Sequence, residues 1–247
     1  MAVTDIAKDI TPRQVAILKA IIEEYITTAE PVGSETLDKK YNLGVSPATI
    51  RNEMVKLSEM KLLSQPHTSS GRSPTPEALR FYVDVLMKTK DLSVTEEMSF
   101  KETIWDYRQE MDKVLREATK TLAQKTKTMA ITATDQGDLY YAGAGNILDM
   151  PEFFDYELTH SLFDAIEQFD FWWKLLSAQE DPIDVLLGDE FIEKGALSQC
   201  GFVYNKFSTP HMKGAICIVG PFRLNYPTVV PMVRYMGSLI GEMGVNW

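Results

Sequence analysis

With 247 residues, 45% of them hydrophobic and 24% charged, the chain has the composition of a globular protein of one large domain or two ordinary ones, which excludes disordered and collagen-like classes. No apolar run approaches the roughly 18 residues of a membrane span. The opening MAVTDIAKDI has neither a basic start nor an apolar stretch to direct export, and Cys200 and Cys217 make no disulfide framework, so a cytoplasmic protein is expected. The net charge of −10 argues against indiscriminate polyanion binding, but it is unevenly spread: residues 1–90 carry 12 basic against 11 acidic side chains, and residues 91–247 carry 13 against 24.

Thr11-Pro12-Arg13-Gln14 supplies an N-cap, a proline at the first helical position and a glutamine three residues on, which predicts a helix that buries Ile17, Leu18, Ile21, Ile22 and Tyr25 and ends near Pro31. Ser34 is expected to cap a second short helix, 35–41, closed by Asn42-Leu43-Gly44, where Gly44 is free to take positive φ. Ser46-Pro47 opens a third helix with Ile50, Met54 and Leu57 inward and Ala48, Thr49, Arg51, Asn52 and Lys56 outward or on its flanks. Two helices, a glycine turn and a third helix with a small, polar, Arg-bearing leading end form a helix-turn-helix pattern. Major-groove readers need short residues at the base edges, a planar fork for guanine and an amide for adenine, which Thr49, Arg51 and Asn52 provide. Solvated helix residues of no special role are the plainer reading of the same side chains. Next come a strand over 62–65, a turn-rich loop and a further helix capped by Thr75-Pro76 and carrying Leu79, Tyr82, Val83 and Leu86. That is the layout of a winged helix, with Ser and Thr hydroxyls in the wing and Arg72 near its tip, suited to phosphates or the minor groove.

The runs Ile21-Ile22-Glu23-Glu24-Tyr25-Ile26, Glu30-Pro31-Val32-Gly33-Ser34, Tyr41-Asn42-Leu43-Gly44-Val45-Ser46-Pro47-Ala48-Thr49-Ile50-Arg51-Asn52 and Gln65-Pro66-His67-Thr68-Ser69-Ser70-Gly71-Arg72-Ser73-Pro74-Thr75 closely resemble the heat-inducible transcription repressors of the HrcA family. The resemblance implies repression of chaperone operons from an inverted-repeat operator and a GroEL-type chaperonin as a partner. It also implies a recognition helix over 46–56 and a wing over 67–72. The DNA-contacting set is then Ser46, Ala48, Thr49, Arg51, Asn52, Lys56, His67, Thr68, Ser69 and Arg72. Arg51, Asn52 and Thr49 are expected on base edges and Ser46, Lys56 and Arg72 on phosphates, with two copies of the chain reading two half-sites.

A polar break at 91–97 marks a boundary between a winged helix-turn-helix domain, 1–90, and a second domain, 91–247. Over 98–127, Ile104, Tyr107, Met111, Val114, Leu115, Ala118 and Leu122 recur at threes and fours, which predicts one long linker helix packed either on its own domain or on a twin in a dimer. Strands are expected over 129–134, 139–142, 183–187, 201–207 and 214–219, mainly helix over 152–176, and a last helix from Pro227, giving an α+β domain with helices on one face. Ala142-Gly143-Ala144-Gly145-Asn146-Ile147-Leu148, Leu187-Gly188-Asp189-Glu190 and Val219-Gly220-Pro221-Phe222-Arg223-Leu224-Asn225-Tyr226-Pro227 resemble the GAF-like regulatory and dimerisation domain of the same family. There are two departures. The family usually has a longer stretch, with an inserted domain, before the segment matching 142–148, and Leu224 and Asn225 stand where Met and Asp are commoner.

Nothing in the sequence asks for catalysis or a cofactor. His67, His160 and His211 are scattered, the cysteines read as buried thiols, and no dinucleotide fingerprint, phosphate loop or nucleophile elbow is present. Phe169, Phe171, Trp172 and Trp173 suit a core, or else a small-ligand pocket. Beside the DNA-binding repressor stand two further readings: a small-molecule-sensing regulator using such a pocket, and an interaction module that keeps the winged helix as a scaffold.

Overall fold

The computed structural model describes residues 6, 8–65, 71–178, 181, 183–188 and 195–245. It separates into two compact units, Met1–Lys88 and Thr89–Trp247.

Local capping signals shape the first unit. Thr11 caps α1 (Pro12–Thr28) by accepting from the Gln14 N–H while the Gln14 side chain accepts from the Thr11 N–H at 2.9 Å, the full capping box. Ile17, Leu18, Ile21 and Ile22 are buried and Tyr25 is half-buried. In α2 (Ser34–Lys40) the cap differs from expectation. The chain stays extended through Gly33, beside the Val32 backbone pairing with Arg72, so Gly33 takes the N-cap without a side-chain bond and Ser34 is buried in the first turn. Gly44, at φ 67, makes the turn into α3 (Pro47–Glu59). Ile50, Met54 and Leu57 then close the core against α1 and α2.

The strand expected over 62–65 is only β1 (Leu63–Ser64), antiparallel to β2 (Ser73–Pro74) with Leu63 opposite Pro74. Thr75 caps α4 (Pro76–Phe81), which widens through Tyr82–Leu86 to a turn whose closing Met87 N–H to Tyr82 carbonyl bond (2.7 Å) spans five residues. This places Leu79 and Tyr82 inside and leaves Val83 and Leu86 half-buried.

The single long linker helix does not form. Ser93 and Glu96 make a capping box for α5 (Val94–Trp105), the chain breaks over 106–110, and α6 (Met111–Thr126) follows. Every side chain from 105 to 110 is exposed, so no burial holds a helix together there. The Arg108 guanidinium instead donates to the Trp105 carbonyl at 2.9 Å, satisfying one of the acceptors left open by the helix end. Folding α5 back onto α6 buries Phe100 and Ile104 in addition to Val114, Leu115, Ala118 and Leu122. A Lys125 Nζ to Ser99 Oγ bond of 2.8 Å fastens the pair. The apolar stripe of α6 is therefore covered within its own unit, which decides against the twin-helix reading.

Five antiparallel strands form the sheet of the second unit in the order β4-β3-β7-β6-β5, with β3 (Met129–Thr134), β4 (Leu139–Ala142), β5 (Ile183–Leu187), β6 (Cys200–Ser208) and β7 (Lys213–Pro221). The segment expected to be mainly helix is a tight turn, Pro151–Phe154, followed by α8 (Tyr156–Ile166) and α9 (Phe169–Ser177); the short α7 (Ala144–Ile147) precedes them and α10 (Tyr226–Gly244) ends the chain.

Helices cover both faces of this sheet, not one. Met129, Ile131, Phe202, Tyr204, Cys217 and Val219 pack with Leu158, Leu162, Trp172 and Leu176 of α8 and α9. On the reverse face the Thr132 and Thr119 hydroxyls bond at 2.7 Å to join β3 to α6, and the Asn205 amide donates to the Arg234 carbonyl of α10 at 2.8 Å. The physical reason lies in the strands, which are apolar at nearly every position where one-sided strands alternate. The segment 142–148 has a structural role here: the Asn146 amide donates to the carbonyls of Thr128 (2.8 Å) and Ala123 (3.3 Å), closing the C-terminal end of α6. Arg223, in the other matched segment, makes a two-pronged bond to Glu152, with Nη2 to Oε2 at 3.0 Å.

Candidate nucleic-acid interface

The leading end of α3 is fixed from within. The Ser46 hydroxyl accepts from the Thr49 N–H (3.3 Å) and lies 3.0 Å from the Thr49 hydroxyl. Pro47 fills the first helical position, where a missing N–H costs nothing. Three buried apolar side chains clamp the inner face, so the outer face is presented by a rigid rod and not by a loop. Ser46, Ala48, Arg51, Asn52 and Lys56 are exposed, and Thr49 is half-buried.

These side chains are not equivalent. Arg51 and Asn52 have no side-chain partner among the described residues, so a fork of N–H donors and an amide stand ready for an external partner. Thr49 is committed to the cap through both its N–H and its hydroxyl, which makes it a positioner of the tip more than a reader. Lys56 pairs with Glu53 at 3.1 Å, and Glu53 is buried. The lysine therefore serves the fold as well as any phosphate, because an unpaired buried carboxylate is costly. A similar arrangement holds Glu24, also buried, between the Lys40 ammonium and the Tyr41 hydroxyl.

Arg72 departs from its expected place near the wing tip and lies at the wing's base. Its N–H and carbonyl both pair with Val32 at 2.9 Å, and its Nε donates to the Ser58 hydroxyl at 3.1 Å. Gly71 is required beside it, since a Cβ there would stand 2.5 Å from the Val32 carbonyl carbon. His67, Thr68 and Ser69 lie outside the described residues. One exposed residue escapes a reading guided by polar chemistry. Val55 shares the outer face, and its spacing, three from Asn52 and seven from Ala48, is the signal that would have found it.

In the second unit Trp172 is core: it is fully buried, its indole N–H donates to the Ala165 carbonyl at 2.7 Å, and Phe171 meets it edge-on with ring centroids 5.0 Å apart. Phe169 stacks on Trp173, which lines an open cleft of about 430 Å³ with Leu176, Phe207 and Ala215. Cys200 and Cys217 are buried and free; burial pushes the Cys200 thiol up to about 12 and raises that of Cys217 as well, so neither is poised as a nucleophile. Among the described residues no three His, Cys, Asp or Glu side chains converge as metal ligands, and no helix is long and apolar enough to cross a membrane.

Comparison with known families places this geometry. The sequence model of the winged helix-turn-helix transcription repressor HrcA DNA-binding domain matches residues 9–86, and that of the HrcA protein C terminal domain matches residues 52–230. The chain belongs to the HrcA family. HrcA of Symbiobacterium thermophilum, a heat-inducible transcription repressor, is 26% identical over 337 aligned positions that cover 95% of this chain and 98% of that protein. Those 337 positions exceed the 247 residues present here, so that HrcA carries segments this one lacks. HrcA of Moorella thermoacetica is 48% identical over 126 residues, 51% of this chain and 37% of that protein. A crystal structure described as that of a hypothetical protein shares the fold, with a TM-score of 0.77 at 18% identity, covering 96% of this chain and 99% of the other. HrcA repressors carry a DNA-binding winged helix, and in this chain α3 is the helix that follows the turn of that motif. Leu224 is buried, and Asn225 opens α10 without a side-chain cap bond.

Proposed function

We propose that this chain represses chaperone genes in the cytoplasm by placing α3 in the major groove of an inverted-repeat operator, two copies reading the two half-sites. Base edges fall to Arg51 and Asn52, with Ala48 allowing close approach and Thr49 and Ser46 holding the tip. Lys56, and the wing with His67, Thr68, Ser69 and Arg72, bear on the phosphate backbone. The second unit, 89–247, serves regulation and pairing of the two copies, with a GroEL-type chaperonin as the partner that keeps the repressor active. The role is binding, not catalysis.

The observation that carries this reading is the bare tip of α3: Arg51 and Asn52 are exposed and without side-chain partners among the described residues, on a helix clamped along its other face. Footprinting on promoter DNA of the source's own chaperone genes, with and without chaperonin, tests it. Two protected half-sites related by a dyad, about one helical turn or a multiple of it apart, are expected. Protection that is uniform along the duplex, or none at low salt, overturns it.

A further inference from the structure

Val55 is the apolar member of an otherwise polar face. It is 43% exposed, whereas Ile50, Met54 and Leu57 on the same helix are buried. Ala48, Arg51, Asn52 and Val55 are all exposed and stand at i, i+3, i+4 and i+7, so they form one strip along the helix. Seven residues at 1.5 Å each give a strip about 10 Å long, the rise of about three base pairs. A recognition helix lying in the major groove presents this same spacing to successive base edges.

A scattered apolar residue is ordinary on a protein surface. What distinguishes Val55 is its registry with Arg51 and Asn52. Valine is also a weak helix former, so the stability of α3 gives no reason for it at an open position. The strip thus offers a small gap at Ala48, a donor fork at Arg51, an amide at Asn52 and a pair of methyl groups at Val55. Among the features of base edges in the major groove, the one that methyl groups fit is the C5 methyl of thymine.

We propose that Val55 is a specificity-determining residue, packing on a thymine methyl farther along the groove than the base pairs met by Arg51 and Asn52. This rests on α3 being the recognition helix. The test begins with the full chain and a random inverted-repeat library, from which a bound duplex is selected. Each thymine of that duplex is then replaced singly by uracil, which removes the methyl and nothing else. Binding is expected to weaken about fourfold per half-site at one dyad-related position, the worth of one methyl taken from water. In Val55→Ala that penalty disappears while the penalties for mismatches elsewhere in the half-site persist. Val55 is exposed, so the variant keeps the fold, and the uracil series on the unaltered chain is independent of any variant. Equal uracil penalties in both proteins at every thymine would overturn the assignment of Val55 and leave the recognition helix standing. Failure to select any duplex would overturn both.

Discussion

In the first unit α3 buries Ile50, Glu53, Met54 and Leu57 and leaves the rest of its surface half or fully open, whereas in the second unit β3 is buried at every position and β7 at all but its first. One element is clamped on one side so that its other side is available; the other is closed on both sides and is available to nothing. On the proposed reading, base recognition by Arg51 and Asn52 and stability are thereby lodged in different side chains, with Lys56, which pairs with buried Glu53, as the residue that serves both. Substitutions on the open strip of α3 should change binding with little effect on folding, and substitutions in the doubly covered sheet should do the reverse.

The largest test of that separation is Trp172→Ala, which removes a fully buried indole and orphans the Ala165 carbonyl. A loss of about 3–5 kcal/mol is expected in denaturant melts, with DNA affinity per folded molecule unchanged; a matching fall in affinity would break the comparison.

Alkaline unfolding comes next. Burial raises the Cys200 thiol from 9.0 to about 12, and that of Cys217 also rises. In the first unit burial raises Tyr82 from 10.0 to about 12, with Glu23 and Tyr41 adding to it. A group whose folded pKa is raised contributes stability that is complete below its unfolded pKa and is lost as pH climbs through the folded one. Softening is therefore expected from about pH 9 in the second unit and from about pH 10 in the first. All four tryptophans lie within 105–247, so tryptophan fluorescence follows the second unit alone, and Cys200→Ala should make the loss of stability above pH 9 shallower, with Cys217 still contributing.

Arg51→Ala should cost about 1–3 kcal/mol on the selected operator and much less on random DNA, a ratio read by anisotropy; equal losses on both would remove Arg51 from base readout. Lys56→Ala should weaken all sequences alike and lower the salt slope by somewhat less than about 1, because its ammonium is already shared with Glu53. The smallest effect belongs to Thr121, whose buried hydroxyl finds no partner among the described residues. Thr121→Val should leave stability within about 0.5 kcal/mol or raise it, and a clear destabilisation in thermal melts would mean that the hydroxyl is satisfied.

What the sequence disclosed follows from the range of the interactions. Thr11 with Gln14, Ser46 with Thr49 and Thr75 with Ala78 are bonds between residues three apart, and each marks its helix start from local chemistry alone. The strands at 139–142 and 183–187 agree to the residue, being short apolar runs between turn signals. The break at 106–110 contains neither proline nor glycine; it exists because α5 folds back on α6, a tertiary gain that periodicity cannot register. The second layer of helices on the sheet was signalled by strands that do not alternate, but which helix lies on which face depends on tertiary packing that an apolar strand does not declare. Within the site, Arg51 and Asn52 were legible as chemistry. The burial of Glu53 beneath Lys56 and the seat of Arg72 on Val32 and Ser58 depend on partners that only the folded chain brings together.

That seat has a further consequence. Val32 immediately precedes the cap of α2, and Ser58 lies in the last turn of α3, so the backbone pairing and the guanidinium bond of Arg72 tie the return strand to both helices of the reading head. A head braced in this way behaves as a fixed caliper. On the proposed reading such a head gains little by adjusting itself to a groove of the wrong width, so the deformation is expected from the nucleic acid, and replacing stiff base steps by pliable ones at uncontacted positions of the operator should change affinity.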